Sequence, residues 1–193
     1  GDQYYYQDNK FEIKLNAKNV HSKGMFENIC LAIKVALDLN IDKKTIQKTL
    51  PSLFFQGRFQ YLKKGKIKNK LFRNEIILID GAHATADAQN LASYLKNIKI
   101  PKYGIWAMTK NKEPDLFIKR FKGVFKKIVT MPIENELNSV SAQDLYKIAI
   151  KNKFESEKSK DFAEALNKIS SKERKLIVCF GSLYNCGNIL NKN

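Results

Sequence analysis

Apolar and polar positions recur along this chain with two periods, and the two periods take turns. Phe11 to Leu15 alternates apolar with charged residues, which predicts a half-buried strand. Phe26, Ile29, Cys30, Ile33 and Leu37 then fall at helical spacing, predicting a helix that ends near Asn40. A second helix is expected after Asp42, a good N-cap, and stops at Leu50 because Pro51 cannot continue it. Pro51 to Gln56 reads as a linker. Beyond it, Phe59–Leu62 reads as a strand and Lys63–Lys70 as a Lys-rich turn. Ile76–Ile79 is wholly apolar, as expected for a strand covered on both faces.

From there strands and helices alternate. Ala88, Leu91, Ala92 and Leu95 form a helical stripe, and Tyr103–Met108 a strand. Leu116, Phe117 and Phe121 predict a helix, and Ile128–Thr130 a strand. Ser141 with Asp144 makes a capping-box-like start for a helix carrying Leu145, Ile148 and Ala149. Phe162, Ala165, Leu166 and Ile169 predict another helix, and Leu176–Phe180 the last buried strand, turning at Gly181 into a short terminal helix. Such alternation argues for an α/β fold with a mostly parallel sheet.

The composition supports a packed core, since 44% of the 193 residues are hydrophobic, with 12 Phe and 8 Tyr. No run of eighteen apolar residues exists, so no membrane partner is expected. Gly1 to Asn9 lacks the basic start and apolar stretch of a signal peptide. The chain starts without Met and reads as a piece of something longer. Its 35 Lys and Arg against 19 Asp and Glu give a net charge of +16. Only Arg58, Arg73, Arg120 and Arg174 are arginines, whereas nucleic-acid surfaces usually enlist Arg. The charge therefore reads as solvated Lys on every outer face, with no nucleic-acid partner. The rival is a nucleic-acid module built on Lys63 to Arg73. Cys30, Cys179 and Cys186 are odd in number and widely spaced; with only two His, they exclude a disulfide framework and a Cys/His zinc site. Cys30 and Cys179 read as small core residues, and the thiols fit a reducing cytoplasm.

In open parallel sheets, ligands bind beyond the carboxyl ends of the strands. Three groups are expected there: Asp80-Gly81-Ala82-His83, Thr109–Asn111 and Gly181-Ser182. Asp80 can hold a ribose hydroxyl or a cation-linked water, or it is merely a helix N-cap. His83 can donate to a phosphate or carboxylate, or it is an ordinary surface residue. Gly181-Ser182 lies against a ligand or makes a plain turn. There is no nucleophile triad and no G-x-x-x-x-G-K-[ST] phosphate loop.

Gln56-Gly57-Arg58-Phe59-Gln60 followed by Asp80-Gly81-Ala82-His83-Ala84 resembles, in order and spacing, the P-G-R-F-Q and D-G-A-H-N signatures of the folylpolyglutamate synthase/dihydrofolate synthase family. These are Mur-type ATP-dependent amino-acid ligases. Phe26-Glu27-Asn28, Trp106 to Lys112 and Gly181-Ser182-Leu183-Tyr184 also resemble family segments, the last being the family's G-S-L-Y. The resemblance implies a Rossmann-like, mostly parallel sheet flanked by helices. Residues 1–50 would be the end of the central ATP-binding domain, 51–56 a linker and 57–193 the C-terminal glutamate-ligase domain. It implies ligation of L-glutamate to dihydropteroate or tetrahydrofolate through an acyl phosphate, with ATP and Mg2+, in a cytoplasmic monomer. Arg58 would contact ATP phosphates, Asp80 the nucleotide, and His83 the nucleotide and the incoming glutamate. Ser182 and Tyr184 would line the glutamate pocket, and Asn28 would sit beside the adenine. No metal ligand is expected in this chain; the P-loop and magnesium ligands would lie in a missing N-terminal part, leaving the chain alone inactive. Three departures stand out: Ala84 replaces the family Asn, Ala107 a Gly and Asn111 an Asp. A peptidoglycan-precursor ligase and a non-catalytic remnant remain as alternatives.

Overall fold

The computed structural model describes residues 4–193; the part of the polar start formed by residues 1–3 lies outside the described residues. The chain divides into two compact units, Gly1–Gln56 and Gly57–Asn193.

In the first unit, strands β1 (Tyr5–Gln7) and β2 (Glu12–Lys14) pair as an antiparallel hairpin. Helix α1 (Lys23–Asp38) starts where the Ser22 side chain accepts from the Met25 amide, and closes before Asn40, whose φ is 60°. Helix α2 (Lys43–Thr49) is capped by Asp42, as its sequence predicts, and runs into a single 3-10 turn at Leu50–Ser52. Tyr6, Ile13, Ile29, Ile33, Ile46 and Leu50 are buried together. Cys30 is only half-buried, because at the next position of α1 it turns away from the Ile29/Ile33 face.

The second unit holds β3 (Gln60–Tyr61), α3 (Lys66–Lys70), β4 (Glu75–Asp80), α4 (Thr85–Lys96), β5 (Lys102–Trp106) and α5 (Pro114–Lys119). Then come β6 (Lys127–Thr130), α6 (Ala142–Lys151), β7 (Ser156–Lys158), α7 (Phe162–Ile169), β8 (Lys175–Phe180) and α8 (Leu183–Asn191). Six strands form one sheet in the order β3-β4-β8-β5-β6-β7, parallel except for the antiparallel β3. Returning β8 between β4 and β5 creates the point where the strand order reverses. In register, Asp80, Phe180, Trp106 and Thr130 stand level, so four strands end together.

Both faces are covered. On one, Ile77, Ile79, Ile105, Val129, Ile177 and Cys179 pack with Ala165 and Leu166 of α7 and Cys186 and Ile189 of α8. On the other, Trp106, Phe117, Phe121 and Phe125 surround Phe180, with ring centroids 4.9–6.4 Å from it. These rings are the largest apolar payload of the unit.

Three expectations are corrected. Only Gln60–Tyr61 of the expected Phe59–Leu62 strand pairs, because Phe59 sits at φ 45° and turns the chain. The Lys63–Lys70 turn contains α3, whose Ile67 anchors it while the lysines face outward. Ile76 is 37% exposed, so its strand is not wholly covered: β4 is flanked on one side only by the two-residue β3. Exposed lysines stand at both edges and on the helices, Lys110, Lys147 and Lys160 among them, and a further group gathers at one edge. Because five strands are parallel, every helix-to-strand loop after α3 lies at their amino edge. Those loops carry Arg73, Lys99, Lys122, Lys153, Lys172 and Arg174, all exposed. The opposite edge holds Asp80, Asp87, Glu113, Glu134, Glu136 and Asp161, while the amino-edge loops also carry Glu155 and Glu173.

Candidate functional site at the carboxyl edge of the sheet

Asp80 closes β4 with its side chain buried, at 1% exposure. Its two oxygens accept different backbone amides, Phe59 N–H at 2.8 Å and Ala82 N–H at 2.8 Å. The Gly81 amide in turn donates to the Gly57 carbonyl at 2.7 Å. Two of these hydrogen bonds join the turn after Gln56 to the turn after β4, and the third, from Ala82, braces the second turn. Gly57 at φ 69° and Phe59 at φ 45° supply the left-handed backbone that this clasp requires. Burial pushes the Asp80 carboxyl up to about 6, against the pull of those two amides and of Arg58. Asp80 is not the helix N-cap; Ala84 holds that position and caps nothing.

The clasp fixes Arg58 beside the start of α4. Its Nη1 lies 3.8 Å from Asp87 Oδ2, and His83 Nδ1 lies 3.8 Å from the same oxygen. His83 Nδ1 is also 2.8 Å from the Gly81 carbonyl. A carbonyl only accepts, so this bond places a proton on Nδ1 and leaves Nε2 as the ring's remaining polar atom. The His83 amide approaches Asp87 Oδ2 at 3.4 Å, so Asp87 does part of what a side chain at position 84 would do. Sequence reasoning missed Asp87. An acid in the first turn of a helix is a visible signal, but it is an ordinary one.

The neighbouring strand ends complete the edge. After β8, Gly181 stands at φ 107°, and a Cβ there would meet the Ala107 carbonyl at 2.3 Å. Only glycine fits this turn. Ser182 caps α8 through a long 3.5 Å bond from the Asn185 amide, leaving its hydroxyl proton for another acceptor. Tyr184 is 66% exposed. After β5, Thr109 Oγ1 donates to Asn111 Oδ1 at 2.7 Å, and Lys110 N–H to the Asn138 carbonyl at 2.7 Å. Trp106 Nε1 and Asn185 Oδ1 are buried without hydrogen-bond partners. The structure therefore brings Arg58, Asp80 and His83 together, with Ser182 at an adjacent strand end. Asn28 belongs to the first unit, exposed on α1 at a hollow of about 480 Å3 between α1 and α2. Among the described residues, no three His, Cys, Asp or Glu side chains gather to hold a metal ion.

A six-stranded, mostly parallel sheet with a clasped turn at its carboxyl edge is the α/β frame on which the site stands. The family described as dihydrofolate synthetase, C-terminal domain, matches residues 63–192, and the chain belongs to it. The fold is shared with Mycobacterium tuberculosis folylpolyglutamate synthase complexed with ADP and AMPPCP, at 16% identity and a TM-score of 0.78. That match covers 93% of this chain and 42% of the other. It is shared with Escherichia coli FolC in complex with DHPP and ADP, at 16% identity and 0.76, covering 96% and 42%. The bifunctional folylpolyglutamate synthase/dihydrofolate synthase of Yersinia pestis, complexed with AMPPNP and Mn, matches at 15% and 0.76, covering 97% and 43%. The chain thus spans about two fifths of the length of these structures. Comparison with curated protein sequences gives no match.

Proposed function

We propose that this chain is the carboxyl-terminal part of an ATP-dependent ligase that joins L-glutamate to dihydropteroate or tetrahydrofolate through an acyl phosphate. The observation that carries this reading is the clasp between the Gly57-Arg58-Phe59 turn and the Asp80-Gly81-Ala82-His83 strand end. It delivers a guanidinium, a buried carboxyl and an imidazole of defined tautomer to one edge. Such a reaction must neutralise charge on phosphoryl oxygens and hold two anions together.

The residues fit anionic ligands. Arg58 is held only loosely by Asp87, at 3.8 Å, so its N–H donors remain for ATP phosphates. The first amides of α4 have no side-chain cap at Ala84. Asp80 would orient the nucleotide, His83 would meet nucleotide and glutamate, and Ser182 and Tyr184 would line the amino-acid pocket. Asn28 would lie beside the adenine. Magnesium has no such seat among the described residues, so this reading assigns its ligands and the phosphate loop to the part of the ligase that the chain does not cover. Residues 1–50 would then end the central ATP-binding domain, with 51–56 as linker and 57–193 as the ligase domain. The exposed stripe Leu31, Val35 and Leu39, at i, i+4 and i+8 on α1, supports a first unit made to pack into a larger body.

The test is turnover with ATP, labelled glutamate and either dihydropteroate or tetrahydrofolate, in a complete ligase that includes the phosphate-loop domain. Arg58→Ala should lower turnover by roughly 100-fold or more, on the scale of lost transition-state stabilisation. Thermal unfolding should barely move, since its ion pair is a partly exposed one. Unchanged turnover would remove the phosphate role. Turnover only with a peptidoglycan precursor would move the chain to the neighbouring branch.

A further inference from the structure

We propose that the amino edge of the second unit's sheet binds single-stranded nucleic acid through its phosphates, independently of the ligase site at the other edge. Six of the 35 cations and none of the 19 acids lie between Gln60 and Asn74. Most of that stretch sits at the amino edge, where Lys68 Nζ reaches the carbonyl of Glu75, the first residue of β4. The edge continues through the loops that carry Lys99, Lys122, Lys153, Lys172 and Arg174. Among the described residues, none of these five, nor Arg73, lies within ion-pairing distance of a carboxylate. Helix dipoles account for lysines in the last helical turns. They do not account for Lys99, Lys122 or Lys172, which stand three or more residues past a helix end, because that effect fades within one turn.

Two features favour a nucleic-acid strand over an anionic bilayer. A hollow of about 490 Å3 opens at this edge between the α5–β6 and α6–β7 loops. Lys122, Lys126 and Lys153 line it together with Glu155 and the edges of the buried Phe125 and Phe154, a concave cationic seat that one nucleotide can enter and a flat bilayer cannot. In addition, adjacent strands rotate by roughly 20–25°, so the edge curves out of any plane across five strands. A flexible polyanion can follow it, whereas a planar membrane meets only part. The expectation of no nucleic-acid partner rested on scarce arginine and on solvated lysine over the outer faces; the topology adds a local gathering of cations that neither reading counts.

The test is fluorescence anisotropy of the chain as it stands with a labelled 20-nucleotide oligo(U) RNA. For about five phosphate contacts, affinity should fall roughly 100-fold between 50 and 200 mM KCl. Reversing Arg73, Lys122, Lys153 and Lys172 to Glu should weaken binding at least tenfold, and the same four changed to Gln should weaken it in the same direction. Reversing Lys43, Lys44, Lys110 and Lys160 instead, which changes the net charge equally, should leave affinity within about twofold. No binding at 50 mM KCl, or equal loss from both sets of reversals, overturns the proposal. So does sedimentation with phosphatidylserine vesicles in the absence of RNA binding.

Discussion

The two ends of the six-stranded sheet each bury an acid, and they treat it differently. At the amino edge, Glu75 is fully buried and accepts from the Phe72 amide, the Ser170 hydroxyl and the Ser171 amide. Its neighbour Lys175, also buried, stands 4.0 Å away, donates to the Ile169 carbonyl and Ser171 hydroxyl, and lies over the Tyr103 ring. Both of these buried charges have partners within the fold. At the carboxyl edge, Asp80 has two amides but no close cation, and Trp106 Nε1 and Asn185 Oδ1 have no partner. Left-handed backbone at Gly57, Phe59 and Gly181 gathers beside them. The buried pair at one end is closed and serves stability. The other end carries strain and unmet polarity, the condition in which binding sites are found.

Three experiments would break or sharpen that contrast. The largest effect is expected from Glu75→Ala, which strands Lys175 without its buried counter-charge and should destabilise the protein by about 3–5 kcal/mol in urea unfolding. A loss below about 1 kcal/mol would mean that the Glu75–Lys175 pair does not brace this end of the sheet. Next comes the pH dependence at Asp80. Its folded-state value, near 6, exceeds the ordinary carboxylate value, so the folded chain binds this proton more tightly than the unfolded one. The stability it contributes is present below about pH 4 and is lost as the pH rises through 6. Relative to Asp80→Asn, the native protein should lose about 3 kcal/mol between pH 4 and 7. A difference that is flat with pH would show that the amide clasp outweighs burial. Asp115 should behave oppositely, because Lys119 and Asn152 hold its carboxyl down near 2. The smallest effect is expected from Gly181→Ala, about 2 kcal/mol, from forcing a side chain into left-handed backbone against the Ala107 carbonyl. A neutral substitution would place no strain at the β8 turn.

Much of this architecture can be read from residue order. The buried strands and amphipathic helices show their periods, and Ser141 and Asp42 cap where their side chains predict. The strand β7 (Ser156–Lys158) escapes because an exposed edge strand needs no apolar alternation. The helix α3 escapes because five Lys-rich residues with one apolar anchor have no period to show. Of the candidate site, Arg58, Asp80 and His83 are visible as motif positions. Asp87 is not, since its meaning lies in two 3.8 Å approaches from residues in separate turns.

By itself, then, the order of residues determined the alternation of strand and helix, the caps and the family signatures. These depend on local periodicity and side-chain chemistry, which act over a few residues. Only the tertiary structure decided that β8 returns between β4 and β5, that burial drives the Asp80 carboxyl upward, and that lysines far apart in the chain share one edge. Strand order, desolvation and charge segregation are set by what packs against what, and no local pattern records that.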